Sequence, residues 1–108
     1  MDTRISNQLP DIIASVINAV PTQEIILFGS YARGTPKPDS DLDIYVLTSD
    51  DKKRAIDYLR DINRSLRSFR NLPIDILVTP YHTFYERAKL IPTLEHSVLK
   101  EGQLIYGQ

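Results

Sequence analysis

Three apolar runs of strand length, each closed by residues through which a strand does not continue, set the terms on which this chain can fold. Glu24-Ile25-Ile26-Leu27-Phe28 stops at Gly29, the run over 42–47 stops at Thr48-Ser49-Asp50-Asp51, and Ile74-Asp75-Ile76-Leu77-Val78 stops ahead of Pro80. The first of these runs is apolar without alternation, which predicts a strand buried on both faces and therefore helices on both sides of a shared sheet. Helical patterns are present to supply them. Leu9, Ile12, Ile13, Val16, Ile17 and Val20 recur at helical spacing over 9–20, with Pro10 suited to a first turn. Over 52–70, Ala55, Leu59, Ile62, Leu66 and Phe69 share one face of a long helix, for which Thr48-Ser49-Asp50-Asp51 offers N-caps. Two shorter helices are expected about 81–90 and 93–101, parted by Pro92, with Gly102 as C-cap and a short last strand over 103–106.

The segment 29–40 carries Gly29, Gly34, Pro36 and Pro38 and is expected to be a loop with room for one helical turn. The resulting order is α-β-loop-β-α-β-α-α. It predicts an α/β (α+β) fold, a small mixed β-sheet packed against helices, and 108 residues suit one domain over 1–108 rather than two cores.

Composition removes several functions. The chain has no cysteine, so disulfides, thiolate metal sites and a cysteine nucleophile are excluded. A net charge of -1 argues against nucleic-acid binding through bulk charge, which leaves only a local basic stripe for that role. Residues 1–8 lack the basic and apolar segments of a signal peptide, and no run is long enough to span a membrane, so the expected location is the cytoplasm.

The chemistry is concentrated in three acids. Asp41 and Asp43 lie two apart at the start of a strand, whose period of two puts both carboxylates on one face. Two acids pointing the same way in apolar surroundings repel and lose hydration unless a cation neutralises them, and an all-oxygen ligand set selects a hard ion such as magnesium. Asp75 repeats the anomaly in the third run. If the strands carrying Asp43 and Asp75 are neighbours, three acids converge. The plainer reading is that Asp41 begins a turn, Asp43 faces solvent and Asp75 pairs with an arginine, and it suits any one of the acids better than all three together.

The segment Gly29-Ser30-Tyr31-Ala32-Arg33-Gly34 follows a buried strand and could turn backbone N–H groups and the Ser30 hydroxyl toward a phosphate. It is not a Walker A loop, since Gly34 is followed by Thr35-Pro36 and not by lysine. Nor do Asp39, Asp41 and Asp43 open an EF-hand, whose sixth position requires glycine where this chain has Ile44. A metal-dependent glycosyltransferase could use Asp41-Leu42-Asp43 on a sugar nucleotide, and the short chain weighs against it.

Gly29-Ser30-Tyr31-Ala32-Arg33-Gly34 followed by Asp39-Ser40-Asp41-Leu42-Asp43 resembles the signature of the DNA polymerase beta-like nucleotidyltransferase superfamily, and most closely its minimal nucleotidyltransferases (MNT proteins). The resemblance runs from the opening helical pattern to Gly102-Gln103-Leu104-Ile105-Tyr106 and implies a polymerase beta palm-like fold. It further implies that Gly29 and Ser30 contact the triphosphate of a nucleotide, ATP being expected. By the same resemblance Asp41 and Asp43 bind two Mg2+ ions, with Mn2+ as the substitute, and Asp75 completes the catalytic set. Arg33 is a candidate for neutralising triphosphate charge or, equally, a surface arginine holding the loop.

The implied reaction is transfer of a nucleoside monophosphate, AMP, to an acceptor hydroxyl. Minimal members are commonly paired with a HEPN toxin as its antitoxin and modify a toxin tyrosine, which implies a HEPN-type partner and a hetero- or homo-oligomer. The competing reading is a binding module that neutralises its partner by occlusion. Outside the motif, Lys53, Arg60, Arg64 and Arg67 form a basic stripe that suits either docking or a solvated face. His82 and His96 stand apart from the acids, and Tyr81, Phe84 and Tyr85 are expected to pack at the third strand's exit.

Overall fold

A computed structural model describes residues 3–69 and 71–107. Its elements in chain order are α1 (Thr3–Ala19), β1 (Thr22–Phe28), α2 (Gly29–Arg33), β2 (Leu42–Thr48), α3 (Ala55–Ser65) followed by a 3-10 turn (Arg67–Phe69), β3 (Ile74–Pro80), α4 (Tyr81–Ala88), α5 (Leu94–Glu101) and β4 (Gln103–Tyr106). The four strands form one sheet in the order β3-β2-β1-β4. β1 runs antiparallel to β2 and β4, and β2 runs parallel to β3, so the sheet is mixed as expected.

Alternation along the strands divides the core in two. Ile25, Leu27, Ile44, Val46 and Ile76 point to one face, where Ile12 and Val16 of α1 and Tyr58 and Ile62 of α3 cover them. Ile26, Tyr45 and Leu47 point to the other face, under Phe84 and Ala88 of α4 and Val98 of α5. Each fully buried aliphatic side chain in such a core contributes about 1.5–3 kcal/mol relative to exposure. Ile25, Ile26 and Leu27 are buried on both faces, as their unbroken apolar character predicts, and Glu24 is buried beside them.

Two helix starts differ from expectation. α1 begins at Thr3, not near residue 9, and Pro10 lies inside it and not in its first turn. Ile5 is fully buried, so its packing with Ile12 and Val16 holds the extra turns across a proline that lacks the N–H a helix interior needs. α3 begins at Ala55 instead of 52, with Thr48 and Asp50, two of the residues expected to cap it, engaged in the turn ahead of it. Thr48 Oγ1 donates to the Asp50 carbonyl, the Lys52 N–H donates to Asp50 Oδ1, and Tyr58 Oη donates to the same carboxylate oxygen. Ala55 is exposed and Tyr58 takes the buried place on this helix. Gly102 does cap α5, in an extended conformation and not a left-handed one. Among the described residues no helix is long and apolar enough to cross a membrane.

Candidate active site

The strand register brings the sequence's anomalous acids together. Asp43 of β2 pairs with Asp75 of β3 in direct parallel register, and on its other side with Phe28 of β1. Neighbouring strands lie about 4.8 Å apart, so in-register side chains from two strands stand side by side on one face. Asp43 shares the face of Tyr45 and Leu47, which α4 and α5 cover, but it lies at the end of that face and is only half-buried. Asp75 is exposed, as an edge strand permits. Asp41 is also exposed and sits one residue ahead of β2, so it is a loop residue leading into the strand.

The charges of Asp75 and Asp41 reach Asp43. Burial raises the pKa of Asp43, and the charges of Asp75 and then Asp41 raise it further, while the guanidinium of Arg33 pulls it down. This is the electrostatic signature of an acid cluster with a nearby cation on its rim. Among the described residues no ion pair engages Asp41, Asp43 or Asp75.

Gly29 is what allows the phosphate-loop candidate to approach them. Its φ is +74°, and a Cβ built there would fall within the Asp43 carboxylate. Only glycine both adopts that backbone conformation and lets the corner between β1 and α2 pass against the acid. The helical turn foreseen after it is α2, which ends on Gly34 at φ +75° with its N–H bonded to the Ser30 and Tyr31 carbonyls. Ser30 is partly exposed one residue beyond this contact. Arg33 lies 4.0 Å from Glu101 of α5, both side chains more than half exposed. A cleft of about 250 Å³ opens beside Gly29 and Arg33, walled by Phe28, Leu94 and Val98, with Ser97 and Glu101 at its edge.

The donor chemistry fits a hard divalent cation: three carboxylates and no nitrogen or sulfur ligand, one of them held in surroundings that disfavour its charge. Among the described residues no three His, Cys, Asp or Glu side chains are gathered tightly enough to grip an ion as they stand. The acids are therefore neighbours in register and not a closed cage.

Residues 9–105 match the family described as Nucleotidyltransferase domain. The chain belongs to that family. Among its relatives, a candidate protein adenylyltransferase of Methanocaldococcus jannaschii is 33% identical over 84 residues, which is 78% of each chain. Among the solved structures similar in fold are these two. One is a candidate nucleotidyltransferase from Sulfolobus solfataricus, with a TM-score of 0.69 at 20% identity, covering 97% of this chain and 82% of that one. The other is a complex of the tri-AMPylated Shewanella oneidensis HEPN toxin with an MNT antitoxin, with a TM-score of 0.58 at 20% identity, covering 95% of this chain and 72% of the matched one. At these identities the two likenesses establish the nucleotidyltransferase fold.

Two further acids in this nucleotidyltransferase escaped the sequence reading. Glu24 of β1 and Glu95 of α5 are buried between the sheet and the helices α4 and α5, where Tyr85 Oη donates to Glu24 Oε1 at 2.6 Å and Tyr45 Oη donates to Glu95 Oε2 at 2.8 Å. Arg87 stands 3.9 Å from Glu95. Burial first, and the bonded carboxylate second, push both phenols well above their ordinary pKa, so each tyrosine remains a donor. These pairs hold the helices on the sheet. Tyr45→Phe should leave Glu95 short of its donor and cost about 1–3 kcal/mol, lowering the melting temperature by roughly 4–8 °C per kcal/mol at this size. A thermal melt that matches wild type would assign the bond no weight.

Lys53 pairs with Asp61 at 3.2 Å, Arg60 with Asp57 at 3.5 Å and Arg64 with Asp61 at 4.0 Å, so three of the four cations of the basic stripe are matched by acids of α3. Lys53 lies outside α3 and Arg67 in the 3-10 turn. That pattern suits a solvated face. His82 is exposed, and His96 packs with its Nδ1 2.9 Å from the Ala88 carbonyl. Phe84 is fully buried against the sheet, whereas Tyr81 is 38% exposed.

Proposed function

We propose that this nucleotidyltransferase transfers AMP from ATP to a hydroxyl of a protein acceptor, a tyrosine of a HEPN-type toxin partner, with Asp41, Asp43 and Asp75 holding two Mg2+ ions and Gly29, Ser30 and Arg33 holding the triphosphate. The observation that carries the reading is the direct register of Asp43 with Asp75, closed on the opposite side by Gly29 against Asp43. The M. jannaschii relative named as a candidate protein adenylyltransferase supports the class of acceptor. The likeness to the complex of an AMPylated HEPN toxin with an MNT antitoxin supports the partner.

When bound, divalent ions supply Lewis-acid stabilisation to the attacking and leaving oxygens of an in-line displacement. The chain's own residues do the rest. Asp75, exposed on the edge strand, faces the incoming acceptor and accepts the hydroxyl proton, which then passes to solvent. The acceptor oxygen forms its bond to the α-phosphorus as the bond from that phosphorus to the bridging oxygen breaks, and pyrophosphate leaves with the electron pair. Ser30 and the backbone at Gly29 hold the departing phosphates in line. Arg33 offsets their charge.

Ser30→Ala should weaken triphosphate binding by about 1.5–3 kcal/mol, roughly 10- to 100-fold, because a hydroxyl bonded to a charged oxygen contributes that much. Titration of Mg·ATP into the variant checks it, and unchanged affinity would remove Ser30 from the site. The reaction itself is tested with α-labelled ATP, magnesium and a purified HEPN-type partner. Label appearing on a partner tyrosine supports transfer, whereas toxin inhibition with no label on any residue supports neutralisation by occlusion.

A further inference from the structure

We propose that the cleft between Gly29 and α5 receives the base of the donor nucleotide, and that Glu101 and Ser97 select adenine there. The inference rests on the reading of the site given above and extends it to the far end of the nucleotide. The cleft adjoins Gly29 and Arg33, the residues assigned to the departing phosphates, so a nucleotide that folds back over this corner brings its base to it. It lies on the β1 side of Asp43, while Asp75 lies on the β3 side, so it belongs to the donor half of the site and leaves the other side open to an acceptor.

Its walls suit a flat heteroaromatic ring. Phe28, Leu94 and Val98 supply apolar surface, and the volume of about 250 Å³, below the roughly 300–1,000 Å³ of clefts that enclose a whole drug-sized ligand, suits a single base. Leu94 is half exposed, which leaves its side chain free to close over an occupant. The polar edge is the discriminating part. A carboxylate accepts only, and a serine hydroxyl can donate, so Glu101 and Ser97 together complement an edge carrying an amine beside a ring nitrogen. Adenine presents that edge, with N6 donating beside N7 accepting, whereas guanine offers O6 and N7, two acceptors, in the same place.

The Arg33 to Glu101 pair couples the two ends of the nucleotide. At 4.0 Å and in solvent it is a weak contact that a triphosphate can outcompete. Arg33 drawn to the phosphates frees the Glu101 carboxylate for the N6 amine, so phosphate and base engage together.

The test compares ATP with inosine triphosphate, which has a keto oxygen in place of the amine, by calorimetric titration with magnesium into wild type, Glu101→Gln and Ser97→Phe. Wild type should bind ATP at least about tenfold more tightly than inosine triphosphate, because an unmatched acceptor faces the carboxylate. Glu101→Gln can turn its amide to donate to the keto oxygen, so the ratio should collapse to near one or invert. Ser97→Phe fills the cleft and should weaken both nucleotides about tenfold or more, with inorganic triphosphate binding unchanged. Equal affinity of wild type for the two nucleotides, or a ratio untouched by Glu101→Gln, overturns the base site while leaving the phosphate site standing. No binding of either nucleotide or of triphosphate overturns the functional reading itself.

Discussion

Asp43→Asn should abolish magnesium-dependent nucleotide transfer while leaving a protein that melts no lower than wild type. The two effects come from the same charge. Metal-ion catalysis contributes several kcal/mol to stabilising a displacement on phosphorus, so losing the ligand nearest the centre of the cluster should slow transfer by on the order of 10³-fold or more. Stability moves the other way. Burial and the charges of Asp75 and Asp41 raise the pKa of Asp43 above the ordinary carboxylate value. The folded state therefore holds this proton more tightly than the unfolded chain. Stability associated with the group is fully present below the unfolded pKa and is lost as pH rises through the raised folded value. At neutral pH without divalent ions the wild type bears that penalty and the asparagine variant does not. Calorimetric melts should accordingly show the variant equal or higher at pH 7, the gap closing at acid pH, and magnesium with ATP raising only the wild type. A variant that melts well below wild type at neutral pH, or that keeps its transfer rate, would contradict the cluster.

Gly29→Val should be the most damaging single change at the phosphate side, worse than Ser30→Ala. Any side chain at this position is strained at φ +74°, and its Cβ would fall within the Asp43 carboxylate. The β1 to α2 corner must then move, taking Ser30 and Arg33 with it. Strain of about 1–3 kcal/mol at a left-handed non-glycine residue adds to the displaced acid, so a fall in melting temperature of roughly 4–8 °C per kcal/mol should accompany loss of Mg·ATP binding. Titration of Mg·ATP alongside a thermal melt reads both effects. Near-normal affinity in the valine variant would place the triphosphate elsewhere.

The local features of this site were legible because local rules produced them. Gly29 ends a buried run, and Asp43 and Asp75 interrupt apolar ones, so each stood out against its neighbours. The fold class followed from the alternation of strand-length and helix-length patterns. What a single sequence does not encode locally is register. That Asp43 lies directly opposite Asp75, and that β3 is an edge strand on which Asp75 is exposed, depends on how the strands were assembled. Glu24 and Glu95 were missed for the same reason, since their partners Tyr85 and Tyr45 are 61 and 50 residues away along the chain. The late start of α3 had a local signal, the polar cluster about Asp50, whose side chains proved to bond within the turn instead of capping the helix. The early start of α1 had one too, in Ile5 four residues ahead of Leu9. Pro10 masked it.

The most direct measurement of the central claim is a manganese titration followed by electron paramagnetic resonance, in the presence of a non-hydrolysable ATP analogue, on wild type, Asp43→Asn and Asp75→Asn. If the three carboxylates hold two divalent ions with the nucleotide, wild type should take up two Mn2+ ions per chain. Asp43→Asn should lose both, and Asp75→Asn should keep only the ion carried with the triphosphate. Identical uptake in all three proteins would mean that the nucleotide alone binds the metal, and that Asp41, Asp43 and Asp75 are surface acids that happen to be neighbours.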